Sequence, residues 1–299
     1  MAHDHKHNHG HHHHHDTGGN IGIAFILNLS FTIIEIIGGY YTNSIAIISD
    51  AVHDLGDSLS LGLAWYFQKI SQKDKNKQYT YGYKRFSLLG AIINSIVLVV
   101  GSMYILTEAL PRLFTPQETN SKGMFILAII GIVINGAAVL KTSGGSSINE
   151  RVVSLHLLED VLGWVAVLVG SIIMHFTGLT IIDPILSILI ACFVLINVVK
   201  NIKGVIPILL QGTPIDVDIE HIVERLGKLK DVSSIHDFHI WSLDEEYNIL
   251  TIHIKVHESK NMLDLVELKR EIRTILQEEG IQHATIEFEL PEEDWELLV

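Results

Sequence analysis

The chain has 299 residues, 48% of them hydrophobic, and a positive mean hydropathy, which excludes an ordinary soluble domain and points to a membrane protein with a soluble part. The formal charge of −13 is lopsided: residues 1–212 carry 13 acidic and 13 basic side chains, residues 213–299 carry 21 and 8. The composition therefore breaks near Gly212, in "QGTPID", and an acidic second domain suits divalent cations rather than nucleic acid or an anionic lipid surface.

In chain order, residues 1–20 come first, and nine of the eighteen histidines fall within the first fifteen residues. This stretch is His-rich rather than apolar, so it lacks the pattern of a secretory leader. Asp, Lys and Asn interleave its histidines, which favours a native metal-gathering tail over a purification tag; it is expected to be disordered and to bind metal loosely. Six apolar segments follow, roughly 21–41, 44–67, 86–108, 123–141, 152–176 and 179–200. Each approaches the roughly 20 residues that a helix needs to cross the hydrocarbon core. The connections after the first, third and fifth hold only Arg112 and Lys122 as basic residues. Those after the second, fourth and sixth hold ten, from Lys69 to Lys203. The positive-inside rule then puts both termini in the cytoplasm. Cys192 lies in an apolar run and, alone, forms no internal disulfide.

Beyond Gly212 the pattern predicts a helix over about 216–230, a strand around 233–242, a second strand at 247–257, a helix over about 262–279 ended by Gly280, and a closing strand in "HATIEFEL". The second strand alternates Leu250, Ile252, Ile254 and Val256 against Ile249, Thr251, His253 and Lys255, a period of two. The order αββαβ implies an α+β unit with one sheet and helices on one face. The expected organisation is thus a tail (1–20), a six-helix transmembrane domain (21–212) and a cytoplasmic metal-binding and dimerisation domain (213–299).

The second apolar segment contains "SDAVHDLGD", which places Asp50, His53, Asp54 and Asp57 where lipid would surround the chain. Each ionisable group near a bilayer centre costs roughly 2.5 kcal/mol or more, so such residues read as functional. His53 and Asp57 are four apart and project from one side of a helix. The fifth segment repeats the device in "SLHLLEDVLG", with His156 and Asp160. Two such helices facing each other would offer two imidazole nitrogens and two carboxylate oxygens, a tetrahedral set suited to zinc at about 2.0–2.2 Å. Magnesium, which wants six oxygens and dehydrates reluctantly, would be disfavoured. Asp50 lies on the same stripe and is either an access or proton-relay group or a helix-start residue. Asp54 and Glu159 sit about 100° from the pair faces and are expected to meet loop, water or a neighbouring helix. Glu35, Asn28, Asn94 and Asn135 are polar residues in other segments: they hydrogen-bond between helices, or, for Glu35, line an aqueous cavity. His175 reads as structural.

Six segments, two HxxxD pairs, a His-rich tail and a "HDFHIWSL" strand in an αββαβ domain resemble the cation diffusion facilitator family, closest to its zinc-transporting branch. The likeness covers residues 20 to 290. It implies a homodimer that exchanges cytoplasmic Zn2+ for protons, with His53, Asp57, His156 and Asp160 as the transport site; His53 favours zinc over manganese, since some manganese-moving relatives have Asp there. Some members carry a further site in the loop between the second and third segments. Here tyrosines (Tyr79, Tyr83) stand where those relatives have histidines, and Asp74 alone is a poor ligand set, so this site is expected to be absent. For the cytoplasmic domain the resemblance carries over to His239, His253, His283 and Glu289, with His236 a rival for the first position. His257 would be an additional donor, and His221 reads as solvated helix surface.

The implied mechanism is secondary active transport: deprotonated ligands take Zn2+ from the cytoplasm, and protonation from outside competes it off. No GxxxxGK[ST] phosphate loop and no HExxH motif occurs. An intramembrane metalloenzyme would keep an open metal position, whereas two matched pairs close the coordination sphere. A metal sensor, a passive channel, and the same antiport with Co2+, Cd2+ or Mn2+ as main cargo remain alternatives.

Overall fold

The computed structural model describes residues 17–142, 148–244, 246–257 and 260–290, and within them the side chains of 17–25, 27, 61, 64, 68, 141–142 and 148–156 lie outside the description. The His-rich stretch of residues 1–16 also lies outside it. Six long helices come first: α1 (Thr17–Thr42), α2 (Ile45–Ser71), α3 (Phe86–Phe114), α4 (Ser121–Thr142), α5 (Ile148–Thr177) and α6 (Ile182–Leu209). Among the described residues, α3, α4, α5 and α6 contain spans long and apolar enough to cross a membrane. α1 and α2 match them in length, at 26 and 27 residues. α2 breaks the apolar pattern with the carboxylates that the sequence singled out.

The chain forms two units. The first, residues 1–66 and 96–196, wears its chemistry inside out. Large apolar side chains such as Ile37, Val100, Val133, Leu162, Val169 and Leu189 are exposed, whereas Thr32, Glu35, Asp50, Asp54, Ser171 and Asp183 are buried. A surface that apolar is the surface of a helix bundle in lipid, where small and polar residues face inward and hold helices together. Close approach is set by glycines. A Cβ on Gly56 of α2 would stand 2.3 Å from Leu98 of α3, and one on Gly101 of α3 would stand 2.5 Å from Val52. Phe31, Ala46, Ile47, Met124, Ala128, Trp164, Val167 and Met174 form one interior cluster, and Ile45, Ile105, Ala109 and Ala191 another.

The second unit, residues 67–95 and 197–299, holds a three-stranded sheet of β1 (Val232–Ser242), β2 (Asn248–Val256) and β3 (Ile281–Glu289), in that order. β1 and β2 pair antiparallel, β2 and β3 parallel. The parallel pair needs a crossover, which α8 (Met262–Glu278) supplies; α7 (Ile219–Gly227) precedes the sheet. Asn261 caps α8 by accepting from Leu263 N and Asp264 N, and Gly280, at φ 76°, ends it. Leu250, Ile252, Ile254 and Val256 alternate into one core with Ile222, Leu226, Leu268, Ile272 and Leu276. The odd-numbered positions of β2 therefore face away from the helices, and His253 is one of them.

The loop before α3 seats on this sheet unit. Tyr79, Tyr83 and Phe86 pack ring against ring. The Tyr81 ring stands 5.6 Å from that of His283. Lys84 pairs with Asp244 at 3.5 Å and lies 4.8 Å over the Tyr247 ring.

Candidate metal sites

In α2, Asp50, His53 and Asp57 fall on one stripe, at i, i+3 and i+7, and Asp54 lies beside it, about 100° round the helix from His53. The structure turns this face towards α1 and α5. His53 Nε2 lies 3.7 Å from Asp57 Oδ2 on its own helix and 3.9 Å from Asp160 Oδ1 on α5. One donor atom from each of the three lies within 4.8 Å of the others. Donors around a tetrahedral ion at about 2.0–2.2 Å are about 3.3–3.6 Å apart, so shifts of a few tenths of an ångström suffice for these two distances to close on zinc. His156 precedes Asp160 by one helical turn on α5; its side chain lies outside the described residues.

The rest of the stripe meets more carboxyls. Asp50 is 5% exposed, and its Oδ1 lies against Gly163 of α5, where an added Cβ would be 3.5 Å away. Asp54, expected at loop, water or a neighbouring helix, meets the helix. It is 4% exposed, Asn28 of α1 donates to its carbonyl oxygen at 3.2 Å and to Ser58 Oγ at 3.1 Å, and its carboxyl interacts with that of Glu35. Glu35 itself is fully buried and interacts electrostatically with Asp54, Asp50 and Asp160. It lies in the interior of the bundle rather than on a surface. Glu159 is exposed and His175 is exposed beside Phe176, so neither joins this group.

On the sheet, a second group forms on the face opposite the helices. His236 pairs in register with His253. His236 Nε2 lies 2.8 Å from Glu289 Oε2, and His253 Nδ1 lies 2.7 Å from Glu289 Oε1. Two imidazoles and a carboxylate, with donors all within 4.8 Å, suit zinc. Burial raises the Glu289 pKa, and hydrogen bonds to His236 and His253 lower it by more, so its carboxyl is held below the usual range. A depressed carboxylate pKa stabilises the fold above the unfolded value of about 4.3, and that contribution fades as pH falls through the folded value.

The structure does not bring His239 and His283 into this group. His239 pairs with Thr251, is 65% exposed and bonds to Asp237 Oδ1 at 2.8 Å. His283 is six residues from Glu289 on one strand, about 20 Å at the usual rise. Two acidic residues that the sequence did not single out lie beside the group without entering its three-donor set: Asp237 Oδ2 and Glu287 Oε2 stand 3.3 and 3.6 Å from His253 Nε2, on the ring edge away from Glu289. Asp237 gets there through a β-bulge. The register slips between His236 and His239, and Asp237 takes φ 47°. The extra residue puts His236 and His239 on one face, which period two alone forbids. His257 and His221 are exposed, the latter beside Glu279.

This arrangement separates the histidines by experiment. With the candidate site in the helix bundle disabled by Asp57→Ala, zinc titration of the full chain should give a site that His236→Ala or His253→Ala weakens at least about tenfold, and that His283→Ala leaves unchanged. Equal losses from His283→Ala and His236→Ala would contradict the grouping.

Comparison with known proteins agrees with an integral membrane metal carrier. A model of the cation efflux transmembrane domain matches residues 21–210. The chain is 37% identical to the "Cadmium, cobalt and zinc/H(+)-K(+) antiporter" of Bacillus subtilis (strain 168), covering 89% of this chain and 87% of that protein. It is 37% identical to the "Metal cation efflux system protein CzcD" of Cupriavidus metallidurans, covering 97% and 89%, and 31% identical to the "Zinc transporter ZitB" of Escherichia coli, covering 97% and 93%. The family's members are transporters, not enzymes. On the matched domain and these relatives, the chain belongs to the cation diffusion facilitator family of metal transporters.

Proposed function

We propose that the chain exports Zn2+ from the cytoplasm across a bacterial plasma membrane in exchange for protons. The single observation that carries this reading is the donor group of His53, Asp57 and Asp160, gathered from two helices inside an apolar bundle. His156, one turn from Asp160, completes a His2Asp2 set that strips the cargo of water. All six long helices span the bilayer, with both termini cytoplasmic, as the basic loops require. Tail residues 1–20 gather metal at the cytoplasmic mouth.

Metal binding needs neutral imidazole and ionised carboxylate, so protons and zinc compete for the same atoms. Protonation from the outer side releases the cargo, and the protonated site returns inward. Glu35 and Asp50, with Asp54, line the stripe beside these ligands and serve as counter-proton relays. The chain acts as a homodimer, and His236, His253 and Glu289 hold a regulatory zinc in the cytoplasmic domain (213–299). His236 of β1, His253 of β2 and Glu289 of β3 would hold it on the face away from the helices, where a divalent ion would supply a positive centre for the two imidazoles and the carboxylate. The residues themselves keep the donors together: Glu289 Oε1 bonds His253 Nδ1, and Oε2 lies 2.8 Å from His236 Nε2.

The name of the Bacillus relative favours a second cargo reading, the same antiport with Cd2+ or Co2+ as the main ion; Mn2+ fits the imidazoles less well. Proteoliposomes test the whole proposal. An imposed pH gradient should drive zinc uphill, with protons moving oppositely, and dissipating the gradient should stop accumulation. Zinc flux indifferent to the gradient would leave a passive channel, and zinc binding without flux would leave a sensor.

A further inference from the structure

Asp183 opens α6, and its side chain is fully buried. Its carboxylate serves another helix. Oδ1 accepts from the Ser44 hydroxyl at 2.5 Å and from Ala46 N at 3.2 Å, while Oδ2 accepts from Ile45 N at 2.8 Å. Ser44 immediately precedes α2, and the N–H groups of Ile45 and Ala46 are first-turn donors with no partner within their own helix. A carboxylate from α6 thus caps α2 across 137 to 139 residues of chain, at the positive end of its helix dipole. A turn deeper, Ser49 Oγ donates to Ser187 O at 3.4 Å.

The turn leading into α2 is fastened from α3 and the α3–α4 connection. Asn43 takes φ 53°, its carbonyl accepts from Arg112 Nη1 at 3.1 Å, and its amide donates to Glu118 O at 2.9 Å. Asn120 N donates to Thr42 O at 2.9 Å. α6 in turn packs tightly on α5. A Cβ on Gly170 would stand 2.6 Å from Leu186 Cδ1, and Ile182 and Leu186 pack against the cluster that holds Val167 and Met174.

We infer that Asp183 is the positioning residue of the transport site: it sets the depth and rotation of α2, and so of His53 and Asp57, against the α5 helix that carries Asp160. The inference rests on the transport-site reading above. α2 runs unbroken from Ile45 to Ser71, so His53 and Asp57 stand about 10 and 16 Å along one rod from the cap at Ala46. A slip of one residue moves a helix by about 1.5 Å and turns it by about 100°. Metal–ligand distances tolerate only about 0.2 Å. A cap that removes even a fraction of that slip decides whether the donors from α2 and α5 meet one ion.

The test uses the full chain in proteoliposomes, with zinc and cadmium as separate cargoes. Asp183→Ala should raise the KM for zinc by about tenfold or more, the size expected of a group that orients ligands, with the maximum rate per inserted protein within about twofold of wild type. Its preference for zinc over cadmium should fall, because a loosened site no longer imposes one ion size. Ser44→Ala, which removes one of the three bonds, should raise KM about threefold, as a modest hydrogen bond would. A merely structural role predicts the reverse pattern, with less inserted protein and unchanged KM and metal preference, and that result overturns the inference. If Asp183→Ala does not insert, Ser44→Ala decides: a wild-type KM overturns the inference. Wild type and Asp57→Ala run alongside. A wild type that moves no zinc, or an Asp57→Ala variant that moves it normally, sinks the transport reading itself; wild-type KM in the anchor variants with both controls as expected sinks only the positioning role.

Discussion

Asp57→Ala should lower zinc transport at least about a hundredfold while the protein still inserts and folds. Asp57 is one of three donors that the structure gathers, and it supplies one of the negative charges that balance a doubly charged ion. Removing it leaves a net positive site in a medium of low dielectric, where uncompensated charge costs several kcal/mol. The fold loses little, because the Asp57 side chain is 22% exposed and its truncation removes no fully buried apolar group. Zinc uptake, normalised to inserted protein and paired with circular dichroism, reads the outcome. Uptake within about twofold of wild type would remove Asp57 from the site, since a lost ligand costs more than that.

Gly131→Leu should impair transport by about tenfold or more through geometry alone. Gly131 on α4 faces Trp164 on α5, and an added Cβ would lie 2.3 Å from the indole Cδ2 and 2.4 Å from Cε2. The ring is 1% exposed and already stacks at an angle on Phe31, with centroids 5.9 Å apart, so it has no room to yield. Comfortable carbon contacts need about 3.5 Å, hence α4 and α5 must part by about 1 Å. Overpacking of this kind costs about 1–3 kcal/mol. Trp164 is one turn beyond Asp160, so the displacement reaches a donor of the proposed transport site directly. Gly136→Ala is the control: among the described residues nothing lies within 4 Å of its added Cβ, and transport should be unchanged. A Gly131→Leu variant with wild-type kinetics would show that α5 is not held in place by this contact.

The two sites were legible to different depths. Helical spacing alone suggested that α2 and α5 share a site, because HxxxD puts two donors on one side; the structure brings His53 and Asp57 near Asp160, and the His156 side chain lies outside the described residues. The αββαβ order was equally open, since β2 alternates without interruption and Gly280 marks the end of α8. The sheet group was not readable in full. Choosing between His236 and His239 depends on a bulge at Asp237, and nothing in "HDFHIW" announces a residue with positive φ. His283 is different: strand rise alone sets it too far from Glu289 to share an ion, and that signal was present in the sequence. Asp54 lies off the pair face in projection. A helix enclosed by neighbours has no solvent side, however, so its carboxyl meets Glu35 and its backbone meets Asn28. Asp183 looks like an ordinary first-turn acid of α6; its partners lie in α2, beyond any local pattern.

X-ray absorption at the zinc edge tests the central claim most directly. The sample is zinc-loaded full chain carrying His236→Ala and His253→Ala, and with residues 1–16 removed, so that the intramembrane group is the remaining high-affinity site. The account predicts a four-coordinate ion with two nitrogen and two oxygen neighbours at about 2.0–2.2 Å, and loss of one imidazole signature in His53→Ala. A five- or six-coordinate ion that keeps water, or a spectrum unmoved by His53→Ala, would contradict it.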